Sequence, residues 1–166
     1  MAIFFSGREL AEIAVDIERN GAAFYDTLAR TTRNDRVRAA YDYLAGEERK
    51  HIRLFQSILD SLGEGIHGET YSGEHALYIR SLADSRVFTD AEVAMEVAER
   101  AQSDAEALHL ALGFEKDSLL LYWEMRELVR EVDRGVVDRL MEEERSHIRQ
   151  LTELKAQIEE RVSGEK

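Results

Sequence analysis

No proline interrupts the 166 residues of the chain. Proline removes a backbone donor and clashes with the preceding turn, so a sequence without it, and with only 10 glycines, is free to run in long unbroken helices. The apolar residues keep the period that such helices require. Leu10, Ala14, Ile17, Gly21, Phe24 and Leu28 recur at spacings of three and four after a Ser6/Glu9 capping box, which predicts a first helix over about 6–31. The polar stretch Thr31–Asp35 turns the chain. Val37, Tyr41, Leu44, Phe55, Ile58 and Leu62 then restart the period until Gly63 ends it. Residues 63–88 lose the pattern and carry Gly63, Gly65, Gly68 and Gly73, with room for one short helix over His75–Ala83. Capping-box pairs recur at Thr89/Glu92 and Ser103/Glu106, predicting a short helix over about 90–101 and a long one over about 104–130. A last helix, about 133–162, carries Val137, Leu140, Leu151, Leu154 and Ile158 on its stripe and leaves a frayed tail at 163–166. The expected fold class is all-α: a single domain over 1–166, built as a four-helix bundle of two hairpins joined by a crossover over about 63–103.

The balance of 22 Lys and Arg against 34 Asp and Glu gives a formal charge of -12, with no basic stripe to neutralise phosphates, so no nucleic-acid partner is expected. No cysteine is present, which excludes disulfides, thiolate metal sites, thiol nucleophiles and iron–sulfur clusters within these residues. No apolar run reaches the roughly 18 residues of a membrane span, and Met1–Phe5 lacks the basic flank of a signal peptide. The expectation is a cytoplasmic protein with no membrane partner.

The two halves repeat each other. Ile17–Tyr25, with Glu18, Phe24 and Tyr25, lines up with Phe114–Tyr122 at an offset of 97, and Gly46–Arg53 lines up with Glu142–Arg149 at an offset of 96. In the second pair, Glu48-Arg-Lys-His51 matches Glu144-Arg-Ser-His147. Both Glu-x-x-His pairs sit in line with apolar stripes, Tyr41, Leu44, Phe55 and Ile58 in one helix and Val137, Leu140, Leu151 and Leu154 in the other. All four side chains therefore point inward. Glu143 lies about 100° off that line, so phase selects Glu48 and Glu144 over Glu47 and Glu143. Glu18 shares its face with Ala14, Gly21 and Tyr25, and Glu115 with Ala111, Leu119 and Tyr122.

Four carboxylates inside a helical bundle would cost several kcal/mol each without a counter-charge. Two divalent cations supply about four positive charges, and two neutral imidazoles complete an oxygen-rich shell suited to iron or manganese rather than to a closed zinc site. The spacing has a geometric reason, since residues three apart on a helix lie about 5 Å from each other and so can serve neighbouring ions.

A glutamate from each of two helices plus a Glu-x-x-His from each of the other two is the ligand pattern of ferritin-like dimetal carboxylate bundles. Glu18 with Gly21 and Tyr25, Glu48 with His51, Glu115 with Tyr122, and Glu144 with His147 together resemble the rubrerythrin branch of that superfamily, over about residues 8–160. The resemblance implies two iron ions, with manganese or zinc as substitutes. It implies that Glu48 and Glu144 bridge the ions, Glu18 and Glu115 cap them, and His51 and His147 bind one each. It implies a non-haem diiron oxidoreductase, reducing hydrogen peroxide or reacting with dioxygen, with electrons from an external donor such as a rubredoxin or a flavoprotein, and a homodimeric assembly. Two departures stand out. Ser118 occupies the position where rubrerythrins usually carry a further glutamate, which brings the ligand set closer to that of bacterioferritin, and the cysteine-rich rubredoxin domain has no counterpart here. The alternative activity is therefore that of a ferroxidase or iron-storage protein.

Other residues receive plainer expectations. Tyr25 and Tyr122 either hydrogen-bond a ligating carboxylate on a facing helix, act as redox-active phenols, or simply pack. His67, His75 and His109 fall outside the seams and are expected at the surface, whereas Trp123 and Phe24 are expected to pack. Arg49, Lys50, Arg53, Arg145 and Arg149 flank the histidines and either orient ligands or form exposed pairs with nearby acids. Glu142–Arg145 is expected to be a solvated charge run apart from Glu144.

Overall fold

The computed structural model describes residues 7–62, 90–129 and 131–164. Among these residues five helices follow in order: α1 (Gly7–Thr31), α2 (Asp35–Leu62), α3 (Ala91–Arg100), α4 (Asp104–Leu128) and α5 (Glu131–Gly164). Each long helix lies within a few residues of its predicted span. The short helix expected over 75–83 and the Ser6/Glu9 cap lie outside the described residues.

The turns show why the boundaries fall where they do. Asn34 Oδ1 accepts from the backbone N–H groups of Arg36 (3.1 Å) and Val37 (3.3 Å), capping α2. Arg38 donates to the carbonyls of Ala29 (3.2 Å) and Thr32 (2.9 Å), satisfying acceptors that the end of α1 leaves open. Thr32 Oγ1 donates to Asp104 Oδ1 at 2.7 Å and ties this turn to the start of α4. Ser103 caps α4 as expected, accepting from the Glu106 N–H at 3.1 Å. At α3 the cap is Asp90, whose carboxylate accepts from the Glu92 N–H at 2.7 Å, one residue later than the expected Thr89. Aspartate serves as well as threonine in that role, and spacing to Glu92 alone could not choose between them.

Helices α1 and α2 pack as one hairpin, α4 and α5 as the other, and α3 lies against α1. The hairpins meet through α1 with α4 and α2 with α5. Phe24, Tyr25, Tyr41, Phe55, Leu108, Leu121, Tyr122 and Leu140 are fully buried between them. At mid-bundle the rings touch across helices: Phe24 and Tyr25 lie 6.3 and 6.1 Å from Phe114, and Phe55 lies 4.9 Å from Tyr122. Gly21 makes the α1–α4 approach possible, because a Cβ there would fall 2.5 Å from Phe114 Cζ.

Trp123 corrects the sequence reading. It is 56% exposed, one residue past the buried Tyr122, because α4 buries the face that carries Glu115, Ser118 and Tyr122 and turns Leu120 and Trp123 outward. Phe24 is buried and His109 is exposed, as expected. His67 and His75 lie outside the described residues. No helix among the described residues is long and apolar enough to cross a membrane.

Candidate metal centre

The four long helices each bring polar groups to one point inside the bundle. Glu18 comes from α1, Glu48 and His51 from α2, Glu115 from α4, and Glu144 and His147 from α5. All six are 0–1% exposed, an extreme degree of burial for carboxylates that, among the described residues, no arginine or lysine pairs with from within. Phase along the helices accounts for the convergence, since each of these residues continues the apolar stripe of its helix.

The donor atoms form two overlapping sets. One ligand atom from each of Glu18, Glu48, His51 and Glu144 lies within 4.8 Å of the others, and so does one from each of Glu48, Glu115 and His147. Glu48 belongs to both sets. Glu144 faces both imidazoles, its Oε1 lying 3.0 Å from His51 Nδ1 and its Oε2 3.4 Å from His147 Nδ1. The imidazole rings stack with centroids 5.7 Å apart. His51 Nδ1 also lies 3.4 Å from Glu18 Oε2, and His147 Nδ1 lies 3.4 Å from Glu115 Oε2.

Near as they are, these atoms satisfy nothing in one another. Glu18 Oε2, both oxygens of Glu48, Glu115 Oε2, both oxygens of Glu144 and the Nδ1 atoms of His51 and His147 are all buried without a hydrogen-bond partner among the described residues. Buried polar atoms are almost always paired, so eight orphans converging on one centre mark a place where ions complete the structure. The donor set, carboxylate oxygens with one imidazole nitrogen per position, suits iron or manganese.

The remaining oxygens are held by the tyrosines. Tyr25 donates its phenol proton to Glu115 Oε1 and Tyr122 donates to Glu18 Oε1, each reaching from one hairpin to the other. Of the three sequence readings for these residues, the geometry shows the hydrogen bond to a carboxylate on a facing helix. The Tyr25 ring also stacks on Tyr41, 6.1 Å away.

Electrostatics record the missing counter-charge. Burial raises Glu48 well above the ordinary carboxyl range, with repulsion from Glu18 adding to it; burial likewise raises Glu115, with Glu144 adding, and raises Glu18. Burial pushes Glu144 in the same direction, but Glu115, His147 and His51 around it outweigh burial and hold it below its usual value. Burial alone would depress the imidazoles; the facing carboxylates overcome it, lifting His147 to about 10 and His51 further. Without ions, protons take their place.

One contributor was not legible in the phase of the helix. Glu143, off the buried line and half exposed, folds back so that its Oε2 lies 2.9 Å from His51 Nε2, the ring nitrogen turned away from the centre. The signal available in the sequence was the repeat, which pairs Glu143 with the other phase-rejected glutamate, Glu47. The flanking cations stay at the surface: Arg49 pairs with Asp26, Lys50 with Glu47, and both Arg145 (3.3 Å) and Arg149 (3.6 Å) with Glu142.

A helical bundle with two Glu-x-x-His helices, two single-glutamate helices and one shared carboxylate core defines the class of ferritin-like dimetal carboxylate proteins. A solved structure described as a ferritin-like diiron-carboxylate protein of Thermotoga maritima superposes with a TM-score of 0.71 at 24% identity, covering 92% of this chain and 96% of that one. The Rubrerythrin family model matches residues 9–155, and the chain belongs to that family. No curated protein matches its sequence significantly.

Proposed function

We propose that the protein is a non-haem diiron oxidoreductase that reduces hydrogen peroxide, or reacts with dioxygen, at a centre held by Glu18, Glu48, His51, Glu115, Glu144 and His147. The observation that carries this reading is the set of eight orphaned donor atoms converging on one point, whose burial cost a pair of divalent ions would remove together. Two adjacent ferrous ions supply two electrons at one place, which permits cleavage of an O–O bond without release of a one-electron radical.

The chain's own residues do the rest. Glu48 and Glu144, facing both positions, would hold the two ions side by side. Tyr25 and Tyr122 hold Glu115 and Glu18 in place through their phenol protons. The aromatic rings of Phe24, Phe55, Phe114 and Tyr41 pack around the tyrosines and the donors, which are 0–1% exposed. The 166 residues carry no cysteine, so the electrons come from an external donor, a rubredoxin or a flavoprotein.

Ferroxidase or storage activity, with Fe(II) as substrate, is the second reading, and the net charge of -12 favours it by drawing cations in. Complete burial of all six donors favours retained ions over ions that pass through. Anaerobic loading with Fe(II), desalting and stopped-flow challenge separates the two. Two irons retained per chain and oxidised faster by peroxide than by dioxygen support the peroxidase. Iron that leaves after each oxidation, or a ferric mineral growing with added Fe(II), overturns it in favour of iron handling.

A further inference from the structure

The repeat that builds the centre is broken where the histidines are held from behind. His51 and His147 occupy equivalent positions at the 96-residue offset, and so do Glu47 and Glu143, each four residues before the histidine of its own helix. Among the described residues, a carboxylate stands behind His51 but not behind His147. Glu143 Oε2 lies 2.9 Å from His51 Nε2, whereas Glu47 is bound by Lys50. Among the described residues no carboxylate reaches His147 Nε2, and the His147 ring meets the edge of Tyr43, centroids 6.2 Å apart at 89°. One residue distinguishes the two hairpins here. Lys50 stands one turn beyond Glu47 and pairs with it; the equivalent position in the other hairpin is the uncharged Ser146, and there Glu143 crosses to α2.

A carboxylate that accepts the outer N–H of a metal-binding imidazole fixes its tautomer, aims the inner nitrogen at the ion and makes it more basic; losing such a partner typically costs ten- to a hundredfold in affinity, on the order of one to two decades. We propose that the two metal positions are unequal: the His51 position, backed by Glu143, fills first and more tightly, and the His147 position completes the pair second. This rests on the dimetal reading above. Glu143 is a positioning residue, acting on the ion only through His51.

Titration of the metal-free protein with Mn(II), followed by electron paramagnetic resonance and calorimetry, tests it. The first equivalent should give the six-line signal of an isolated ion, and the second should replace it with the spectrum of a coupled pair. Ser146→Lys supplies the missing cation on α5, so it should draw Glu143 away and weaken the first step about tenfold or more. Lys50→Ser should free Glu47 to back His147 and strengthen the second step, a gain that structural damage would not mimic. The proposal is overturned if one equivalent already yields coupled pairs beside empty protein, or if Ser146→Lys leaves the first step unchanged. If no coupled pair forms at any Mn(II) concentration, the dimetal reading itself fails, an outcome distinct from pairs that form in one cooperative step.

Discussion

Glu48 sits between the two donor sets, and its two oxygens have no partner of their own. Glu48→Ala should therefore abolish two-metal binding while leaving the bundle folded, because the substitution also removes the cost of burying a carboxylate. Metal analysis showing two ions per chain in that variant would contradict the shared role. Glu47→Ala, one residue away but paired with Lys50 at the rim, should leave the stoichiometry at its wild-type value. Tyr25→Phe leaves Glu115 Oε1 buried with no donor, and a loss of about 1–3 kcal/mol in unfolding free energy is expected by urea denaturation. A loss near zero would mean that the hydrogen bond is not a stabilising contact. At this scale the six inward residues were legible because a buried line on a helix repeats every three or four residues. Glu143 was not, since its role depends on which side-chain contact across α2 and α5 wins, and phase says nothing about a half-exposed group that bends back.

The elements carry a second kind of constraint, set by how closely they approach. Gly21 and Ser118 are repeat equivalents, yet only Gly21 accommodates a ring, with Phe114 Cζ and Cε1 at 2.5 and 2.7 Å from the position of a Cβ and Glu48 Cδ at 3.4 Å. Phe114 cannot simply withdraw, being packed between Phe24 and Tyr25. Gly21→Ala should gain about 1 kcal/mol of helix propensity but lose about 1–3 kcal/mol to overpacking, for a net loss of stability and a displaced Glu48. Gly113, on the same helix as Phe114 and with open space around it, gives the control: Gly113→Ala should stabilise by about 0.5–1 kcal/mol. Equal midpoints for the two variants in urea would show that the α1–α4 contact is looser than described. Helix spans were readable from period and caps, because both are local. That α4 turns Trp123 outward was not, since the stripe of Glu115, Ser118 and Tyr122 and the neighbouring Leu119, Leu120 and Trp123 offer competing faces, and only the docking of α4 on α1 and α5 chooses between them.

For the molecule as a whole, the centre couples stability to both pH and metal, in a direction opposite to that of most acidic proteins. In the metal-free protein Glu48 and Glu115 titrate above their unfolded values because they are buried, so the folded chain holds protons that the unfolded chain releases. Their contribution is greatest in acid and falls as pH rises beyond the ordinary carboxyl range. His147, lifted to about 10 by Glu115 and Glu144 against the pull of burial, contributes stability that is fully present below its unfolded value near 6.5 and is lost as pH rises toward 10. Glu144 works the other way, but its window lies below the ordinary carboxyl range and does not reach neutral pH. The metal-free protein should accordingly melt at progressively lower temperature between pH 5.5 and 8.5, values spanning roughly the interval between the unfolded carboxyl and histidine ranges and His147. Divalent ions take the place of those protons, so added Mn(II) should release protons on binding and raise the melting temperature more at pH 8 than at about pH 6. Thermal melts with chelator and with Mn(II) across this range, together with proton release by calorimetry in two buffers, measure both halves of the coupling. A metal-free melting temperature that climbs with pH, or metal binding without proton release, would mean that the carboxylates inside the bundle are already charged, and that something other than bound ions makes their burial tolerable.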